Sequence, residues 1–302
     1  MTNILMNNWQ RWIQAPQTHG FRKLLFQVHL WMGIGFGLYV LIISLSGSAL
    51  LLESPVYEWF EPKKLVPTEA TPLTGDALTA RMQEVYAGYE LGWTMNAAGQ
   101  DDATYIVLGK DGEFIPHYFN QYTGEDIGLA HPWPIQAIDW LGDIHEELLL
   151  GRTGKKVNGV GGLLFILMSL TGMLIWWQGR TRWVAGLQIK RHSPRIFIWQ
   201  LHSFIGFWSL FLMFAWGISA FQIGFPDYMN ALVDWLDTDL DDYERPDGWL
   251  RFLRDVHFTR IGEGEWVRWG WIIVSFAPTI LFVSGFILWW KRVVLRQKGL
   301  VS

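Results

Sequence analysis

Four stretches of this chain carry no Asp, Glu, Lys or Arg: residues 24–52, 157–179, 196–226 and 269–290. A bilayer's hydrocarbon core is roughly 30 Å thick and takes about 20 helical residues to cross, so each stretch is long enough. One charge at mid-membrane costs about 2.5–3.5 kcal/mol, and four charge-free runs of this length rarely arise by chance. Half the residues are apolar, 20 are Trp, and nothing in that balance fits an ordinary water-soluble domain. The expectation is a mainly α membrane protein with four spans.

Charge orients those spans. Segments 1–28, 179–195 and 291–302 hold twelve Lys and Arg and no acid, whereas all 28 Asp and Glu lie in the other two connections. Basic loops stay inside, so both termini are read as cytoplasmic and the acidic connections as facing outward. The formal net charge of −4 says little about partners, because its signs are segregated by side, and no nucleic-acid partner is expected. The first apolar run is too long for the core of a cleavable signal. The absence of Cys excludes disulfides, thiolate metal sites, Cys nucleophiles and covalent haem attachment. Histidine is left as the main ligand for a redox metal.

The histidines fall in a repeat. Gln27-Val28-His29 heads the first run and Gln200-Leu201-His202 the third; Ser46 and Ser219 each lie 17 residues further on. Between these, Asp143-Ile144-His145 leads to Thr171-Gly172 and Trp176-Trp177, and Asp255-Val256-His257 to Ser284-Gly285 and Trp289-Trp290. The order is A, B, A′, B′, a duplicated pair of spans with one His per unit. His29 and His202 follow the inner basic flanks by six and seven residues, so they lie near the inner face. His145 and His257 precede inward-running spans and lie at the outer edge.

Residues 53–134 form the larger outward segment. A capped amphipathic helix is expected at 74–86, then strands at 93–96, 104–108 and 114–121, the last entering the turn Tyr122-Thr123-Gly124-Glu125. His117 and His131 are read there as surface residues. Residues 135–150 form an amphipathic helix too short to span, placed along the outer interface. In the fourth run Pro278 is expected to kink the helix. Gly33, Gly35, Gly37 and Ser46-Gly47-Ser48 read as a helix-packing face, with room for a large flat cofactor as the other reading.

Histidines within spans usually face the bundle interior and serve function. One alone would read as an interfacial residue bonded to a carbonyl or a headgroup. Two matched pairs, one per face, instead favour ligands. Two neutral imidazoles from facing helices suit six-coordinate haem b. Zinc or copper would want further ligands, and none stands at helical spacing. Arg22 and Lys23 inside, and Arg152, Lys155, Lys156, Arg260 and Arg268 outside, could meet haem propionates.

The helix at 79–86, the strand at 104–108 and the stretch Tyr118-Phe119-Asn120-Gln121-Tyr122-Thr123-Gly124-Glu125 resemble a PepSY domain. The flanking runs resemble the PepSY-associated transmembrane helix family, through His29 with Gly33, His145-Glu146-Glu147-Leu148-Leu149-Leu150-Gly151, and Leu201-His202 with Gly206. That family includes inner-membrane ferric-siderophore reductases. The resemblance implies two bis-His haems b, with His29, His202, His145 and His257 as axial ligands. It also implies reduction of a ferric siderophore or other ferric chelate in the periplasm. Some relatives carry a fused flavin module; no Gly-rich phosphate loop follows the last run here, so the expected donor is separate, a quinol, a flavoprotein or a soluble reductant.

The expected architecture is a four-span bundle built from a duplicated two-helix unit, with a small α+β PepSY-like domain inserted between spans 1 and 2. Its order is lead 1–23, span 24–52, periplasmic domain 53–134, interfacial helix and turn 135–156, and span 157–179. A loop 180–195, span 196–226, periplasmic segment 227–268, span 269–290 and tail 291–302 complete it. The competing readings are a non-enzymatic membrane-anchored PepSY binding or inhibitory module, and an accessory protein of metal transport.

Overall fold

The computed structural model describes residues 20–61, 71–95, 99, 102–178, 194–236 and 248–295. The chain divides into two units, Met1–Leu51 with Gly142–Ser302, and Leu52–Leu141. The expected inner lead, most of the basic loop at 180–195 and the acidic stretch 237–244 lie outside the described residues.

The first unit holds α1 (Gly20–Leu50). It also holds α5 (Arg152–Gln178), α6 (Pro194–Trp208), α7 (Leu210–Gly224), α8 (Pro226–Leu236), α9 (Gly248–His257), α10 (Glu265–Ser275) and α11 (Ala277–Trp290). Among the described residues three helices are long and apolar enough to cross a bilayer, Gly20–Leu50, Arg152–Trp177 and Glu265–Val293. The pair Ile196–Trp208 and Leu210–Gly224, bent by 60°, makes a fourth if it crosses as one. Polarity in these helices is inverted. Leu38, Phe211 and Ile273 point outward at 62, 59 and 72 % exposure, while Ser46, Ser48, Ser219 and Ser284 are buried. Apolar outside and hydroxyl inside is the pattern lipid selects. The chain is a multi-pass membrane protein.

The tightest packing is between α5 and α7. A methyl at Gly162 would meet the Gly217 carbonyl at 2.5 Å, and one at Gly224 would meet the Gly159 Cα at 2.7 Å. Close approach in lipid is thus carried by these glycines. Of those singled out in the first run, Gly37 lies under the Phe282 ring, whereas a methyl at Gly35 would meet nothing within 4 Å.

The third run, expected as one span, is broken at Ser209. Its Oγ donates to the Ile205 carbonyl at 2.6 Å, an acceptor its own N–H shares at 2.9 Å. Such back-bonding bends helices. The fourth run starts earlier than expected, at Glu265, and breaks at Phe276, just before Pro278. Pro278 has no N–H for the Val274 carbonyl, and the Phe276 N–H bonds there instead. Ser44 of α1 donates to the Ser275 carbonyl at 3.0 Å and accepts from Thr279 at 2.9 Å. A neighbouring helix thereby serves the broken backbone, as a membrane interior requires.

The second unit contains α2 (Glu53–Phe60), α3 (Gly75–Val85) and an antiparallel sheet. The strands are β1 (Glu90–Met95), β2 (Thr104–Lys110), β3 (Glu113–Asn120) and β4 (Glu125–Leu129), in order 1-2-3-4. Leu78, Met82 and Tyr86 of the helix segment pack on Ile106, Leu108 and Phe119. Asp111-Gly112, both at positive φ, makes the two-residue hairpin between β2 and β3. The fourth strand and the short α2 were not anticipated. β4 pairs from Asn120↔Glu125 outward, yet its Glu-Asp-Ile-Gly-Leu lacks the alternation that marks a strand.

The Tyr-Thr-Gly-Glu turn has a definite construction. Asn120 Oδ1 accepts from the N–H groups of Tyr122 and Thr123 at 2.9 and 3.0 Å. Gly124 takes φ 71°, and its carbonyl accepts from Arg81 Nε at 3.0 Å. α4 (Trp133–Glu147) follows, beginning before and ending before the expected 135–150.

Candidate functional site

Each of the four repeated histidines meets a hydroxyl from another helix. His29 Nδ1 lies 2.9 Å from Thr171 Oγ1, and His202 Nδ1 lies 2.9 Å from Ser284 Oγ. On the other level, His257 Nδ1 lies 2.6 Å from Ser219 Oγ. His145 Nδ1 lies 3.4 Å from Ser46 Oγ and 3.0 Å from the Ile43 carbonyl. Residues that the sequence repeat equates therefore sit in equivalent environments.

The hydroxyls favour one tautomer. Each has one hydrogen, and each already directs it to its own helix. Thr171 donates to the Leu167 carbonyl at 2.9 Å, Ser284 to Ile280 at 2.6 Å, Ser46 to Ile42 at 2.8 Å and Ser219 to Ala215 at 2.8 Å. With that hydrogen on its own helix, each hydroxyl oxygen accepts from the imidazole, the tautomer with the proton on Nδ1 and a lone pair on Nε2, and the Ile43 carbonyl, which only accepts, requires it of His145. Outer partners of this kind fix the ring orientation of metal-bound histidines.

A glycine follows three of these hydroxyl residues, and the ring lies against it. A methyl at Gly172 would stand 3.2 Å from His29 Cε1, and one at Gly285 would stand 3.3 Å from His202 Cε1. At Gly47 it would stand 2.6 Å from His145 Cε1. The hydroxyl–glycine dipeptides are seats for imidazoles. As echoes they were visible in the sequence, but Ser46-Gly47 read there as a packing face.

The histidines meet in two pairs. The ring centroids of His29 and His202 are 6.4 Å apart with planes at 88°, and those of His145 and His257 are 6.1 Å apart at 60°. Along α1, His29 and the Ser46 seat are 17 residues apart, roughly 25 Å at about 1.5 Å per residue. Among the described residues no group of three or more His, Cys, Asp or Glu could gather a metal. The PepSY-associated TM region model matches residues 26–247 and 233–292. The chain belongs to the PepSY-associated TM region family. No curated protein shows significant similarity to it.

In this PepSY-associated TM protein His145 and His257, which lie outside the long apolar helices, are held neutral. Burial first, then the nearness of His145, pushes His257 down from 6.5 to about 4. Burial lowers His145 as well, against its bond to the Ile43 carbonyl and the nearby Glu146 carboxylate, which raise it. Neutral imidazole is the form that binds a metal.

The family member's cations are less free than its sequence implied. Lys155 pairs with Glu147 at 2.9 Å, and Arg268 pairs with Glu265. Arg260 lies over the Phe258 ring at 5.0 Å. Nor are the two lone histidines of the second unit idle at the surface. His117 Nδ1 bonds Asp126 at 2.9 Å beside the Tyr86 hydroxyl, and His131 bonds Asp139 at 3.0 Å beside Tyr57. Each closes a Tyr–Asp–His chain within its own unit.

Proposed function

We propose that this chain is a haem b oxidoreductase of the bacterial inner membrane. It is a four-span bundle made of a duplicated two-helix unit, with cytoplasmic termini and the PepSY-like unit in the periplasm. It takes electrons from a separate donor, a quinol, a flavoprotein or a soluble reductant, which is oxidised, and passes them outward one at a time to reduce ferric iron held by a siderophore or another chelate. Haem supplies the one-electron chemistry, shuttling between ferric and ferrous states.

The observation that carries this reading is the separation of the paired rings. Two imidazoles on opposite sides of one metal, each bonded at about 2.0 Å and with ring centres about 1.1 Å further back, put those centres roughly 6.2 Å apart. The two pairs stand at 6.4 and 6.1 Å. The tautomer supports the same reading, since all four rings keep Nε2 for a metal. So does the donor set: with only two protein donors per pair, an equatorial ring must supply the rest, as porphyrin does. His29 and His202 would hold one haem, His145 and His257 the other. The hydroxyls orient the rings, and the glycines let them lie flat on the helix.

The test is a spectrum of the purified protein from haem-replete cells. Two low-spin b haems per chain are expected, with one lost in His29→Ala or His202→Ala and the other in His145→Ala. Reduction of a membrane-impermeant ferric chelate should stop in His145→Ala. A colourless wild type would overturn the redox reading in favour of an anchored binding module.

A further inference from the structure

We infer that Asn158, held by Tyr39, is the positioning residue that sets His145 in place, an inference that rests on the haem reading above. His145 stands in the last turn of α4, where a helix leaves its final carbonyls without partners. The backbone there accounts for its bonds almost completely. The Leu148 N–H goes to Ile144 O at 3.1 Å, the Leu149 N–H to Asp143 O at 3.2 Å and the Leu150 N–H to Glu147 O at 2.8 Å. The carbonyls of His145 and Glu146 are passed over. Both are taken by one side chain from α5: Asn158 Nδ2 donates to His145 O at 2.7 Å and to Glu146 O at 2.8 Å.

The amide is itself fixed. Tyr39 of α1 donates its hydroxyl to Asn158 Oδ1 at 2.9 Å, so both amide hydrogens and the amide oxygen are engaged. Two glycines make the approach feasible. Gly154 lies against the backbone of Glu147, and Gly161 lies against the Tyr39 ring, in each case with no space for a methyl. Lys155 adds an ion pair to Glu147 at 2.9 Å.

The turn that follows needs such a clamp. Leu148 and Leu149 take φ 51° and 59°, two successive left-handed residues that are not glycine. That conformation is unfavourable for a branched L-residue and persists only where the surroundings impose it. Leu148 N–H keeps the ordinary helical bond to Ile144, but the left-handed pair sends Leu149 N–H back to Asp143 rather than to His145, and so leaves the His145 and Glu146 carbonyls to Asn158. Asn158 thereby ties the helix bearing His145 to α5, and Tyr39 ties both to α1, the helix that carries the Ser46 seat.

The experiment uses the full chain with Asn158→Leu, Asn158→Asp and Tyr39→Phe. Asn158→Asp keeps an acceptor for Tyr39 but has no N–H to give. Both Asn158 variants should lose about half of the low-spin haem signal, the part that His145→Ala also removes, and should leave the His29–His202 haem spectrum and potential unchanged. Tyr39→Phe should keep both haems and shift only the potential of the outer one. Amide exchange at Leu148–Leu150 should quicken about tenfold or more in Asn158→Asp. Unchanged exchange there, or two unaltered haem signals and potentials in both Asn158 variants, overturns the assignment. A wild type without haem defeats the redox reading instead, and exchange alone then decides the role of Asn158.

Discussion

Ser219 Oγ lies 2.6 Å from His257 Nδ1 while giving its only hydrogen to the Ala215 carbonyl at 2.8 Å. In that arrangement the imidazole donates, and donation from Nδ1 makes Nε2 a better electron-pair donor to a metal. Ser219→Ala removes the acceptor, weakens that push and disfavours the ferric state. A neutral hydrogen bond is worth about 1 kcal/mol, and a tenfold change in a one-electron equilibrium is about 59 mV. The midpoint potential of the haem proposed for His145 and His257 should thus rise by roughly 20–60 mV in a redox titration. Ser284→Ala and Thr171→Val should do the same to the haem proposed for His29 and His202. A fall in potential would reverse the tautomer assignment.

The glycine seats predict a graded series. A methyl at Gly47 would stand 2.6 Å from His145, against 3.2 Å at Gly172 and 3.3 Å at Gly285, while a methyl at Gly35 meets nothing within 4 Å. Gly47→Ala should lose most of the outer haem. Gly172→Ala and Gly285→Ala move a ring by a few tenths of an ångström and should lower inner haem occupancy only partly. Gly35→Ala should bind both haems like the wild type. Haem per chain in extracted pigment checks the ranking, and equal losses in all four would reject the seats.

The duplication is why so much of this site could be read from residues alone. His29 and His202 recur at like places at the head of two charge-free runs, His145 and His257 at like places before the other two, and those runs mark the spanning helices. What Ser46-Gly47 and Thr171-Gly172 do was not legible, because a small pair in an apolar run looks the same whether it seats a helix or an imidazole. Deciding that needs to know which helices are neighbours. Asn158 left no trace for a different reason: two of its three partners are backbone carbonyls, which carry no residue identity. The break at Ser209 was hidden because serine is common in unbroken membrane helices. β4 was hidden because its glycine and acids suppress alternation.

Acid should weaken the haem-free protein in a defined window. His257 falls from 6.5 to about 4 in the folded chain, through burial and then His145. Between those values the unfolded chain takes up the proton and the folded one does not, so stability present above 6.5 is lost as pH falls toward about 4. Thermal unfolding of haem-free protein between pH 7 and 4 should show this slope, and His257→Leu should flatten it. Asp126 acts lower. Burial raises its pKa, but bonds from His117, Tyr86 and the Gly128 N–H outweigh that and leave it below 3.8. Its contribution is therefore held above 3.8 and lost only as pH drops further, which Asp126→Asn should abolish. A wild-type curve flat from 7 to 4 would mean His257 titrates as it does in water.

The α5–α7 crossing sets the distance across the bundle, and it depends on glycine having no side chain. A methyl at Gly217 would come within 2.7 Å of the Ile166 side chain and 3.0 Å of the Gly162 carbonyl, so neither helix can back away locally. Gly217→Val should cost about 1–3 kcal/mol by overpacking, read as a lower unfolding midpoint in detergent. The same residue lies two positions before Ser219, on the helix that seats His257. Spreading α7 from α5 therefore also moves the Ser219 seat relative to His145, which is tied to α5 through Asn158. The outer haem should be lost together with the stability, while the His29–His202 haem, seated on Thr171 and Ser284 further along α5 and α11, should remain. Loss of both haems in parallel would show the bundle unfolding as a whole rather than opening at this crossing.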